Sequence, residues 1–210
     1  VHEAWDRLTI VREWLATSCD EEEDEDAVDE LTLSCQLQCA GLHLIGDQPE
    51  AVIGPLTELI DTCDEREPPW LAAQSARVAL ASALTTLGQA EEAATQLKAI
   101  EANLEESTTG WFDAVVLSGR LGQRALGEAL MSGADEAFKR SHMAHCSAIE
   151  IALESSRDWL AFTSGVTVDR ERNTARAMRA LQANDFELAT VLQLLLACYH
   201  LDADDNAGAH

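Results

Sequence analysis

The feature that most constrains this chain is a short phrase that recurs along it: Gly46-DQPE-Ala51, Gly88-QAEE-Ala93, a one-residue-shorter Gly133-ADE-Ala137, and Asn184-DFEL-Ala189. In each, a residue that tolerates a left-handed φ ends an apolar-periodic segment. Two to four residues later an acidic side chain stands where the positive end of the next helix dipole falls. Such a phrase reads as a tight turn from helix to helix. From Gly46 to Gly88, Gly133 and Asn184 the intervals are 42, 45 and 51 residues, room for two helices and two connections per unit. The expectation is an all-α chain, a right-handed α-solenoid of about four helical hairpins.

Composition agrees. Hydrophobic residues make up 47% and there are 4 prolines, with Ala and Leu dominating where a β-protein favours Val, Ile, Thr and Tyr. A chain of 210 residues buries roughly 70% of its unfolded surface and needs no metal or disulfide staple. Apolar periodicity predicts helices over 3–18, 28–45, 48–62, 70–87, 89–105, 111–132, 134–156, 169–183 and 185–201. Gly54-Pro55 is expected to kink or restart the third of these, because Pro55 lacks a donor and clashes with the preceding turn. Trp70, Trp111 and Trp159 are expected near hairpin starts, as packing groups that cover the layer below. The reading is one domain over 1–201 and a frayed tail at 202–210. The amphipathic run Trp5, Leu8, Ile10, Val11 and Leu15 at the start reads as mid-helix, as in a piece of a longer polypeptide.

The second unit, LASALTTLGQAEEAATQL, places Leu80, Ala81, Leu84, Gly88, Ala90, Ala93 and Leu97 at the offsets of a tetratricopeptide repeat, and the chain resembles that family there. The spacing has a physical basis: small residues such as Ala81 and Ala93 let antiparallel helices approach while the leucines interlock. Asn184 to Leu196, with Phe186 and Ala189, resembles it less closely, and the first and third units only weakly. Repeats of 42 to 51 residues are longer than the family's roughly 34. The resemblance implies a concave groove, lined by the first helix of each hairpin, that receives a peptide or protein partner. It carries over no ligand-gripping residue.

Charge narrows the partners. With 14 Lys plus Arg against 38 Asp plus Glu the net charge is −24, so nucleic acid meets mostly repulsion. Twelve of the 14 cations are arginines, and such a surface fits either salt adaptation or recruitment of a basic partner. Six cysteines without a Cys-x-x-Cys pair, in a chain this apolar, read as thiols of a reducing cytoplasm. No apolar run approaches the roughly 18 residues of a membrane span.

Little chemistry is nominated. Cys35, Cys39 and His43 stand at i, i+4 and i+8 and could start a metal site, but the same spacing describes a packing stripe, and a zinc site brings ligands from a second segment. His142, His145 and Cys146 lack the glutamate of a metalloprotease helix. The acidic run at 20–26 lacks the glycine and spaced ligands of a calcium loop and reads as a solvated connection. No nucleophile elbow or phosphate-cradling loop is present, so neither an enzyme nor a cofactor is expected.

One cluster departs from the acidic background. Arg172, Arg176 and Arg179 share a helix face, with Arg170 nearby, whereas residues 1–67 hold 19 acids and 3 bases. They offer a docking point for an acidic group of a partner; the competing explanation is pairing with Asp169, Glu171 or acids of a neighbouring hairpin. The leading function is therefore a protein-interaction scaffold whose acids attract a basic peptide. A ligand-sensing regulatory domain comes second, and a helical metal protein or enzyme third. Self-association follows if the end of the stack exposes an apolar face.

Overall fold

The computed structural model describes residues 34, 36–38, 40, 41, 43, 44, 46–65, 72–104, 110–140, 147–183 and 185–207, with backbone alone at 186, 187 and 202–207. These residues are helix, turn or loop, with no strand among them. The chain divides into two compact units, Val1–Ile100 and Glu101–His210.

In the first unit, helical residues between 34 and 44 end in a tight turn in which Gln48 N–H donates to His43 O at 2.9 Å. Asp47, rather than the expected Gly46, takes the left-handed φ, at 58°. A short polar side chain is one of the few that tolerates that conformation. Helix α1 (Glu50–Asp64) follows and runs unbroken through Pro55. The expected restart does not occur, because Val52 before the proline and Leu56, Leu59 and Ile60 after it bury on one continuous face. At about 1.5–3 kcal/mol for each such side chain, that face outweighs the roughly 3 kcal/mol penalty of an interior proline.

That face packs on α2 (Ala72–Thr86), whose buried Ala73, Ala76, Ala81 and Ala83 permit close approach while Leu80 and Leu84 fill the gaps. Arg77, also buried, pairs with Asp64 at the end of α1. The turn after α2 forms as the sequence predicts. Gly88 has φ 76°, Gln89 N–H donates to Leu84 O at 2.8 Å, and α3 (Ala90–Ala102) begins with Glu91 and Glu92 in its first turn.

The second unit holds α4 (Trp111–Arg120), α5 (Arg124–Arg140), α6 (Ser147–Thr163), α7 (Arg170–Gln182) and α8 (Phe186–Ala207). Here the predicted boundaries shift. The single helix expected over 111–132 is broken at Gly122, φ 68°, where Gln123 N–H donates to Ser118 O at 2.8 Å. Gly133, expected in a turn, lies inside α5, where an added Cβ would stand 2.9 Å from Leu104 Cδ1. Gly133 is therefore a packing glycine. Gly122 is the turn.

Helices α4 and α5 form a hairpin, and α6 packs against both. The contact is close because it runs through glycines: a Cβ on Gly127 would meet Ser118 Oγ at 2.4 Å and Leu160 Cδ2 at 2.6 Å. Trp159 lies near the end of α6 rather than at a hairpin start, buried, with its Nε1 donating to Val116 O at 2.9 Å. Trp111 does open a hairpin, as the first residue of α4, and is buried against Phe138. Helices α7 and α8 form the next hairpin, and α6 touches both. Helix α8 continues to Ala207, past residue 201 where the sequence reading ended it.

Candidate interaction cleft

The three arginines singled out from the sequence come together at the α6–α7 junction. Arg176 is 3% exposed; its Nε donates to Glu154 Oε2 at 2.9 Å and its Nη1 to Asp158 Oδ2 at 2.6 Å and Asn173 Oδ1 at 3.1 Å. Arg172 donates Nη2 to both Asp158 oxygens, at 2.7 and 2.9 Å, and Asn173 Nδ2 adds a fourth bond to that carboxylate. Arg179 is exposed, 3.9 Å from Glu154. The acids concerned are Glu154 and Asp158 of α6, whereas Asp169 caps α7 by accepting from Arg172 N–H at 3.0 Å. Burial pulls the Asp158 carboxyl upward, but the donors Arg176, Asn173 and Arg172 overcome it and hold its pKa below the ordinary carboxylate value. The cluster fastens α7 to α6, and the Arg176 guanidinium is not presented to solvent.

Beside it, Trp159, Phe162 and Tyr199 form an aromatic group, with Phe162 and Tyr199 centroids 4.7 Å apart. The Tyr199 hydroxyl is buried and has no hydrogen-bond partner among the described residues. Burial, with the nearby Asp158 charge, raises its pKa above the phenol value.

Of the metal candidates, Cys35, Cys39, His142, His145 and Cys146 lie outside the described residues, as does the acidic run at 20–26. His43 sits at the first turn with Nδ1 2.9 Å from Gln48 Oε1. Among the described residues no three His, Cys, Asp or Glu side chains are grouped to hold a metal ion.

What the sequence did not single out is a solvent-open cleft of about 250 Å3 in the second unit. It forms where the first turns of α4, α6 and α8 meet. Gly110 precedes α4, which gives Trp111, Phe112 and Asp113; Ala148, Ile149 and Ala152 come from α6; and Asp185 precedes α8, which gives Leu188 and Val191. Phe112, Ile149 and Val191 are half-buried, so apolar surface faces the opening.

Each helix start carries an acid: Asp113 in the first turn of α4, Glu150 in that of α6, and Asp185, whose Oδ1 accepts from Leu188 N–H at 3.1 Å, before α8. Of these, Asp113 and Asp185 line the cleft, so it carries acidic as well as apolar surface. These residues escaped the sequence reading because three segments some 40 residues apart supply them, each an ordinary apolar stripe on its own. The adjacent aromatics Trp111 and Phe112 after Gly110 were the one available signal.

Fold and cleft together define an all-helical protein of packed hairpins with an apolar, acid-rimmed opening on its second unit. A scan against protein-family models finds no match, and searches of curated proteins and of solved structures find no similar chain.

Proposed function

We propose that this chain is an interaction module of the tetratricopeptide-like, α-solenoid kind, and that its cleft receives an apolar side chain of a protein or peptide partner flanked by a basic residue. The observation that carries the reading is the cleft, apolar within and with Asp113 and Asp185 in its lining. Two features support the repeat reading. The turns Leu87-Gly88-Gln89 and Leu121-Gly122-Gln123 are identical and 34 residues apart, the family's own period. Alternate helices of the second unit, α4, α6 and α8, pack each on the next and together supply the cleft. The cleft is below the roughly 300–1,000 Å3 of drug-sized pockets and is open, so a side chain from a partner suits it better than a small effector. Six cysteines without a Cys-x-x-Cys pair, in a chain this apolar, favour a reducing compartment, the cytoplasm.

Selection from a random peptide library displayed on phage tests this. Enriched sequences should share a bulky apolar residue next to Lys or Arg and should not be retained by Ile149→Asp. Enrichment without that pattern, or equal retention by the variant, would remove the cleft as the site.

A further inference from the structure

Helix α8 carries a surface that its own unit does not cover. From Leu188 to Leu201 the sequence LATVLQLLLACYHL contains no Asp, Glu, Lys or Arg, in a chain that is 25% charged. Leu192, Leu195, Leu196 and Tyr199 are buried, but Leu194 and Leu201 are 63% and 67% exposed, with exposed Ala197 and Cys198 between them. All five exposed large apolar side chains among the described residues, Val166, Met178, Leu181, Leu194 and Leu201, belong to the stretch from 166 to 201.

The positions 194, 197, 198 and 201 follow the i, i+3, i+4, i+7 spacing of a helix-pairing stripe. Their sizes run large, small, small, large, which is symmetric about the centre of the stripe. Laid antiparallel on a second copy across a two-fold axis, Leu194 meets Leu201 of the other copy at each end, and the small Ala197 and Cys198 let the backbones approach at the axis. Electrostatics disfavours other occupants rather than attracting this one. A molecule of net charge −24 repels its own kind over most of its surface, and this stripe is free of that charge. A basic peptide finds no acid on it, and an anionic membrane finds no cation.

We infer that the exposed face of α8, centred on Ala197 and Cys198, is a self-association surface through which two copies of the chain form a two-fold dimer. A single helix pair with its surroundings falls at or below the roughly 1,200 Å2 low end of stable interfaces, so the dimer dissociates at micromolar concentrations.

Sedimentation velocity on the full chain between about 5 and 200 μM, a range that brackets such an affinity, should show the mass moving from 22.8 kDa toward twice that value. The double variant Leu194→Glu, Leu201→Glu should stay at 22.8 kDa throughout with unchanged far-ultraviolet circular dichroism. Oxidation with diamide supplies a second reading: two Cys198 thiols across the axis give up their hydrogens to the reagent and join as a disulfide-linked dimer. The yield should fall at least about tenfold, a difference of roughly 1.4 kcal/mol in effective pairing, in Cys198→Ser. A wild-type chain that is monomeric at the highest concentration overturns the inference. So does a double variant that dimerises like the wild type, or a cross-link yield that Cys198→Ser leaves unchanged.

Discussion

Replacing Asp158 by alanine removes one acid and leaves three donors without it. The Asp158 side chain is 14% exposed and Arg176 is 3% exposed, so the substitution strands a guanidinium that cannot reach bulk water. Glu154 still holds Arg176 Nε at 2.9 Å, but that carboxylate is 47% exposed and is a partial replacement. Breaking a buried pair from one side costs about 3–5 kcal/mol, and the surviving Glu154 contact points to the lower end. The rest of α7 offers little compensation, since it buries only Asn173, Arg176, Ala177 and Ala180.

With a denaturant slope of about 2 kcal/mol/M, a loss of about 3 kcal/mol lowers the urea midpoint of the second unit by about 1.5 M. Circular dichroism at 222 nm reads that midpoint, and amide exchange should show protection lost first over 170–182. A midpoint shift under about 0.5 M would refute the view that this cluster fastens α7.

Arg172→Ala removes the exposed partner of the same carboxylate, 53% exposed, and should lower stability by about 0–1 kcal/mol in the same urea titration. The pKa of Asp158 is lowered on folding, so its contribution is full above the unfolded carboxylate value near 4 and is lost as pH falls through the folded value; Asp158→Asn should therefore flatten the acid limb of the midpoint against pH. Tyr199→Phe deletes a buried hydroxyl without a partner among the described residues and should be neutral or stabilising by up to about 1 kcal/mol; a loss larger than that would mean the hydroxyl is bonded. Gly127→Ala places a Cβ against Ser118 Oγ and Leu160, and overpacking of about 1–3 kcal/mol should exceed the roughly 1 kcal/mol gained in helix propensity, which thermal unfolding can check.

The helical class and most helix positions were legible because the apolar period of α1, α2, α3, α7 and α8 is plain and Gly88 marks its turn. The third unit was not, and the reason is local. Gly122 and Gly133 both precede short acidic or amide-bearing stretches, and sequence alone does not say which glycine is needed for φ and which for contact. Only the Leu104 side chain 2.9 Å from the would-be Cβ of Gly133 shows that it is needed for contact.

Pro55 misled for a related reason, since the stabilising face that carries α1 through it is a tertiary property. The arginine face was legible as a cluster, and its partners Glu154 and Asp158 sit about two and three turns along a helix whose boundaries had been placed too early. The cleft was the least legible element, because it exists only where three helix starts converge.

Isothermal calorimetry with a peptide bearing the apolar-basic pattern, titrated into the wild-type chain and into Ile149→Asp, asks most directly whether the cleft is a binding site. The expected result is a micromolar Kd for the wild type, about −8 kcal/mol, weakened at least about tenfold by the variant and strengthened at low salt. Equal affinity for both chains, or binding that ignores salt, would contradict an acid-rimmed apolar site at the starts of α4, α6 and α8.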